Sequence, residues 1–280
     1  MVWLRSLIGL LTVCVALSAS AAEQVYSFGV LSQRSAVLTA EYWNPILAYV
    51  GRRAGVGLEL KIARTAPDSN VAIAKGGYDF VYSNTIFVPA LATQNYQVIL
   101  RPRVADIASQ IVTLEDSPIR SLADLAGKVV GFPSRAAFVG YAVPMDHLLR
   151  ERIAVTPTFG GNQEGIMGQL MAGKVIAAGV NSQVMRNFAA REGMRYRVLW
   201  ESESYHNLPV ARHPRVPEVV AEAVQQAFAG MPEDPEGAKV LEASAQVIKQ
   251  KPPYGFIAAS QQDYQNYVDF YRNTVVTDIQ

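Results

Sequence analysis

The chain has 280 residues, half of them hydrophobic, which is enough for a large core in one domain or in two coupled lobes. Its 25 basic and 24 acidic side chains nearly cancel, which gives no support for a general nucleic-acid surface, and no run of like charge offers a binding tail. Cys14 is the sole cysteine, which excludes a disulfide framework and a cysteine metal site.

Residues 1–22 read as a cleaved export signal. Arg5 precedes the apolar run Leu7 to Leu17, and Ser18, Ala19, Ser20, Ala21 and Ala22 supply the small residues that cleavage needs. The run is too short to stay in a bilayer as a spanning helix, and no later stretch is longer. A soluble, exported mature chain is expected, with Arg5 removed and 24 basic side chains left against 24 acidic ones. A lipid-anchored start at Cys14 is the alternative, and the bulk of Val13 before it argues against that cleavage.

After the signal, strands and helices alternate. Val25 to Leu31 predicts a strand, Leu38 to Ala54 a helix closed by Gly55, and Leu58 to Ala63 a second strand. Val71 to Lys75 predicts a short helix before Gly76 and Gly77, Asp79 to Tyr82 a strand, and Asn84 to Ala92 a helix. Val98 to Leu100 and Ser109 to Leu114 predict strands that join this unit to a second one. There, Ser121 to Gly127 reads as a capped helical turn, Val129 to Phe132 as a strand and Ala136 to Leu149 as a helix. Asn162 to Ala172 reads as a helix, Val175 to Val180 and Arg197 to Trp200 as strands, and Glu201 to Pro209 as the return connection. Val216 to Ala229, Glu236 to Val247 and Gln261 to Thr274 close the chain as helices, with a loop at Pro252 to Gly255. Such alternation predicts α/β architecture: open, largely parallel sheets with helices on both faces.

The stretch Gly127 to Tyr141 carries the clearest chemistry. A buried strand runs into a turn at Pro133 and Ser134 and then into a helix, so unpaired N–H groups and the positive end of the helix dipole face outward together. Ser134 adds a hydroxyl and Arg135 a positive charge; the structural alternative is a Ser cap beside a solvated Arg. His147, His206 and His213 show no metal-ligand spacing. No nucleotide loop, nucleophile elbow or zinc motif is present, so no catalytic residue, metal or cofactor is expected.

Asp124-Leu125-Ala126-Gly127-Lys128 with the following strand and Ser-bearing helix start resembles periplasmic solute-binding proteins, in particular the phosphate, phosphite and phosphonate group that serves ABC transporters. Gly29-Val30-Leu31 with Tyr42 to Leu47, Gly77 to Val81, Asn207 to Val210 and Asp234 to Gly237 extend the resemblance over nearly the whole mature chain. It implies two α/β lobes, each a mixed sheet flanked by helices, joined by two hinge strands and closing over a ligand. Lobe one would hold residues 25–105 plus 208–280, and lobe two residues 106–207.

The resemblance also implies a site. The family's Ser-Thr-Ser-Gly-like helix start corresponds to Ser134, Arg135, Ala136 and Ala137, which keeps one hydroxyl and the backbone amides. Its next anion-touching helix start corresponds to Asn162, Gln163 and Glu164, where Gln163 donates without charge. Positions near Gln183 and Leu208, acidic in relatives that read an aminoalkyl phosphonate, carry no carboxylate here, which argues against a ligand ammonium. In lobe one, Ser83, Asn84 and Thr85 offer donors and Tyr82 a wall, with Tyr42 and His206 expected near the cleft and Arg34 and Ser35 after the first strand. The function implied is capture of a small oxyanion, phosphonate- or phosphite-like, in the periplasm by a non-enzymatic monomer for an ABC permease. One alternative presents the bound state to a membrane sensor kinase or cyclase; another is a lyase sharing the fold, against which the export signal speaks.

Overall fold

The computed structural model describes residues 24–90 and 92–279; the export signal and Cys14 lie outside the described residues. The chain begins with β1 (Val25–Val30), β2 (Gly57–Ile62), β3 (Phe80–Tyr82) and β4 (Gln97–Pro102), then crosses to β5 (Ile107–Leu114), β6 (Val129–Phe132), β7 (Thr156–Phe159), β8 (Ala178–Asn181) and β9 (Tyr196–Tyr205). It returns through β10 (Val210–Arg212) and ends its strands with β11 (Phe256–Ala258). Two sheets result, ordered β11-β4-β10-β3-β1-β2 and β7-β6-β8-β5-β9. In each, the central parallel strands are joined by antiparallel ones: β1 runs parallel to β2 and β3, and β6 parallel to β7 and β8, while β10 and β5 run against their neighbours. The two connections between the sheets are β4 to β5 and β9 to β10.

Helices α1 (Ala36–Ala54), α2 (Ala66–Ala74), α3 (Val143–Arg150), α4 (Gln163–Met171), α5 (Ser182–Glu192), α6 (Glu218–Ala229), α7 (Pro235–Val247) and α8 (Gln265–Asn273) flank the sheets. Local sequence sets their ends. The Ser35 hydroxyl accepts from the Leu38 N–H at the start of α1, and Gly55 ends it at φ 69°, a conformation that costs glycine little. In the second sheet, neighbouring Ile111 and Val112 are both fully buried, as a strand covered on both faces requires. Ile111 packs with Val130, Phe132 and Leu148, and Val112 with Ile166, Leu170 and Val184.

A further apolar cluster joins the two units. Phe138, Val139 and Val143 pack with Phe87, Tyr205, Leu208, Tyr264 and Tyr267, and the Phe138 ring lies 4.1 Å from that of Tyr267, nearly parallel to it. The phenols of Tyr264 and Tyr267 donate to the carbonyls of Asn207 and His206, both at 2.6 Å. Burial pushes both phenols above their ordinary pKa, so they remain donors to the return connection at physiological pH.

Residues 274–279 were grouped by sequence order with the first unit, but they run onto the second. Thr274 Oγ1 and the Val275 N–H each donate to Asp146 Oδ1 at 2.8 Å, and Val276 packs into the core formed by Ile111, Leu125 and Leu148.

Several elements differ from the prediction. The helix expected over Asn84 to Ala92 is a 3-10 turn, Thr85–Phe87, because Val88 precedes a proline and turns extended (φ −68°, ψ 119°). The return connection expected from Glu201 is still strand up to Tyr205, which pairs with Ile107. Helix α5 was not predicted, although Asn181 caps it and Gly193 ends it at φ 67°.

Candidate functional site

The carboxyl ends of β1, β3, β6, β7 and β8 point toward one narrow cavity between the two sheets, the place where α/β proteins hold ligands. Ser32, Gln33, Asn70 and Asn84 line it from the first unit, and Ser134, Ala136 to Val139, Asn162, Gln163 and Asn181 from the second, with Leu31, Ala66 and Leu208 as apolar wall. The units touch around its rim. The Glu164 N–H donates to the Gln33 carbonyl and the Ala66 N–H to the Gly161 carbonyl, both at 3.1 Å.

The helix that bears on the cavity starts later than predicted. Ser134 does not cap it: residues Ser134 to Ala137 form a turn, with the Ala137 N–H on the Ser134 carbonyl at 3.2 Å, and a π-helical turn spans Phe138–Ala142 before α3. Pro144 gives the reason, since a proline has no N–H for the carbonyl four residues back and its ring crowds that carbonyl. The wider turn pairs Ala142 with Ala137 and Val143 with Phe138 instead. The N–H groups of Phe138, Val139 and Gly140 therefore lead the helix with no carbonyl behind them to bond.

Around this helix start the carboxamides are oriented by protein donors that occupy their oxygens. Asn181 Oδ1 accepts from the N–H groups of Gln183 and Val184 at 2.9 and 3.1 Å. Asn162 Oδ1 accepts from Gly165 at 2.7 Å, and Gln163 Oε1 from the Asn181 N–H at 3.1 Å. Asn70 Oδ1 accepts from Thr85 Oγ1 at 3.0 Å, which in turn receives the Ser83 hydroxyl at 2.9 Å. For none of the four is a protein acceptor of the NH2 end recorded among the described contacts. Asn181 Nδ2 and Ser134 Oγ are buried with no hydrogen-bond partner among the described residues, and an unmet buried donor is costly.

Gly140 makes this convergence possible. A Cβ there would sit 2.7 Å from Gln163 Nε2 and 2.7 Å from Pro133 Cγ. Gly140→Ala is expected to displace Gln163 and weaken ligand binding about tenfold, with a stability loss of about 1–3 kcal/mol from overpacking; titration calorimetry and thermal melting check the two effects.

Of the residues predicted for the site, Ser134, Ala136, Ala137, Asn84, Asn162 and Gln163 line the cavity. Arg135 turns away, pairing with Asp278 while its guanidinium lies 4.9 Å over the Phe159 ring, because residues 274–279 bring that carboxylate to it. Ser83 and Thr85 stand behind Asn70 as the hydroxyl relay. Tyr82 and Tyr42 pack around Arg34 in a neighbouring recess, Gln183 accepts from Asn207 Nδ2 at 2.6 Å, and His206 Nδ1 lies 2.7 Å from Asp106. Asn181, Asn70, Gln33 and Ser32 were missed; for Asn181, the Asn-to-Gly193 frame of α5 was the available signal.

Beside the cavity, charges from both units meet. Glu164 at the start of α4 lies 3.9 Å from Arg34, which follows β1, and 2.9 Å from Arg191 on α5. Burial lowers the Arg34 pKa, and the Glu164 carboxylate works against that shift. No titratable side chain lines the cavity itself, and no group of metal-ligating side chains occurs among the described residues. Nor is any helix among them long and apolar enough to cross a membrane.

Residues 28–264 match the sequence model of the family described as "ABC transporter, phosphonate, periplasmic substrate-binding protein". No curated protein matches the chain. Among solved structures, the chain is similar to a binding-protein component of an ABC phosphonate transporter from Pseudomonas aeruginosa, at 18% identity and TM-score 0.75, covering 89% of this chain and 87% of that one. It is similar to PhnD1 from Prochlorococcus marinus in complex with methylphosphonate, at 13% identity and TM-score 0.75, covering 89% and 97%. A protein from Xanthomonas citri, bound to chloride, matches at 16% identity and TM-score 0.68, covering 89% and 96%. Those likenesses bear out the two-lobed periplasmic-binding-protein fold expected from the sequence. With the family model matched over most of its length, this chain belongs to the phosphonate-type periplasmic substrate-binding proteins of ABC transporters, a family that binds solutes and is not a family of enzymes.

Proposed function

We propose that the protein captures a small oxyanion of the phosphonate type between its lobes and hands it to an ABC permease. One observation carries the reading. Asn70, Asn162, Gln163, Asn181, Ser134 and the leading residues of a helix line one uncharged cavity, where Asn181 Nδ2 and Ser134 Oγ are buried without a partner among the described residues, and such donors in a sheltered site complement negative oxygens. The two sheets form the two lobes, residues 103–106 and 206–209 act as the hinges, and residues 1–22 direct export. Closure draws its free energy from contacts that exist only when both lobes face the guest. The absence of a carboxylate in the lining disfavours an aminoalkyl phosphonate, whose ammonium would lie buried without an ionic partner.

Titration calorimetry of the mature protein against phosphate, phosphite, methylphosphonate, sulfate and methanesulfonate tests the proposal. Binding of at least one of these well below millimolar is expected. If none binds in that range, capture of a small oxyanion is wrong.

A further inference from the structure

Residues 274–279 leave α8 and run onto the second lobe as a strap. At its start, Thr274 Oγ1 and the Val275 N–H donate to Asp146, and Arg150 donates to the Asn273 carbonyl at 2.7 Å. Val276 and Ile279 pack into the core of the second lobe. Between them the Asp278 carboxylate reaches two places on the segment that lines the cavity. It pairs with Arg135 in the turn Ser134 to Ala137. The Tyr141 hydroxyl, in the π-helical turn, donates to the same carboxylate and lies 2.7 and 2.8 Å from its two oxygens. Ala136 to Val139, which line the cavity, lie between these two anchors.

Arg135 directly follows Ser134, and its guanidinium lies over the Phe159 ring, two residues before the Gly161 carbonyl that takes the Ala66 N–H of the first lobe. A lone cation at this rim would act on any anion in the cavity, whereas a cation paired with a carboxylate has most of its field cancelled. We infer that Asp278 is a positioning residue for the anion site: it holds Arg135 outward and cancels its charge, so that the uncharged lining reads the guest by hydrogen bonds rather than by a cation. The inference rests on the oxyanion-capture reading and adds a specificity device to it. Coulomb attraction is non-directional, so a free guanidinium beside the turn would tighten every dianion alike and blunt the choice among them.

The pair is suited to this role rather than to holding the fold. Its side chains are 40% and 41% exposed, and an ion pair so exposed contributes little stability. The strap keeps its other anchors without it, at Asp146 and in the core around Val276. Burial pushes the Tyr141 phenol up, so it remains a donor to position 278 in mildly alkaline solution.

The test is a double-mutant cycle on the mature protein. The parent, Asp278→Asn, Arg135→Gln and the double variant are titrated calorimetrically with methylphosphonate and with sulfate at about pH 8.5, where both anions are mainly doubly charged. Asp278→Asn keeps an oxygen for the Tyr141 hydroxyl and is expected to bind about fivefold more tightly in low salt, because the charge on Arg135 is no longer cancelled. Arg135→Gln is expected to bind about fivefold more weakly, because Asp278 then stands uncompensated near the guest. The double variant is expected to bind like the parent, and both single shifts to shrink at about 1 M salt; thermal melting checks each fold. Asp278→Asn that binds no more tightly than the parent overturns the inference and leaves oxyanion capture standing. So does a gain that persists in the Arg135→Gln background or at high salt, since Asp278 would then act through the shape of the turn alone. If Asp278→Asn does not fold, Arg135→Gln reads the pair from its other side, and binding equal to or tighter than the parent's overturns the inference. A parent that binds neither anion removes the capture reading and this inference together.

Discussion

Asn181→Asp is expected to fold like the parent and to bind fully ionised oxyanions about 100-fold more weakly, a change of about 3 kcal/mol. The substitution keeps the shape of the side chain and the oxygen that accepts from Gln183 and Val184 at the start of α5. Aspartate is as good a cap as asparagine and suits the positive helix end. What changes is the other branch, where a buried NH2 donor becomes a carboxylate oxygen facing the guest. One charge-assisted hydrogen bond is lost and like charges meet in a sheltered site. Titration with methylphosphonate at alkaline pH and with methanesulfonate measures the loss, and thermal melting checks the fold. The same variant is expected to retain more affinity for the hydrogen-phosphonate form, whose proton the new carboxylate accepts. Unchanged binding of both ligands would remove Asn181 from the site.

Glu164→Gln is expected to weaken binding about tenfold, or about 1.4 kcal/mol, chiefly through faster ligand release. Glu164 is the only acidic partner between Arg34 of the first lobe and Arg191 of the second among the contacts described. A fully buried pair broken on one side costs about 3–5 kcal/mol, and an exposed one contributes at most about 1 kcal/mol. Side chains 11–18% exposed place this cluster between the two limits. Its geometry tempers it further, because Glu164 Oε1 lies near both guanidinium groups but receives no aligned N–H from either. With glutamine there, Arg34 loses its acidic partner and Arg191 keeps only Glu192, so the ion pairs that span the two lobes are gone. Stopped-flow fluorescence reads the release rate. A release rate equal to the parent's would show that this cluster plays no part in holding the lobes together.

Much of the fold is legible in the sequence because the alternation of strand and helix is local and strongly patterned. The turn residues are local too, as Gly55 and Gly193 illustrate at the ends of α1 and α5. The cavity is less legible. The predicted helix start at Ser134 followed the hydrophobic period, while the observed start follows Pro144, whose effect on the turn before it is steric and does not show in the period. Arg135 read as a ligand for an anion because Asp278 lies far away in sequence, and only the fold of residues 274–279 brings the two together. Asn162 and Gln163 were accessible as a cap and its neighbour. Asn181 was equally accessible in principle, but the apolar residues of α5, Val184, Met185, Phe188 and Ala189, were not recognised as one helical face. Asn70 depends on a relay through Ser83 and Thr85, a contact that no linear spacing reveals.

The most direct measurement is a crystal structure of the mature protein grown with methylphosphonate at alkaline pH. Its oxygens are expected within hydrogen-bond distance of Asn181 Nδ2, Ser134 Oγ and the amides at Phe138 to Gly140, with both lobes closed on it. An anion seated elsewhere, or lobes that stay apart with the anion bound to one of them alone, would contradict the account.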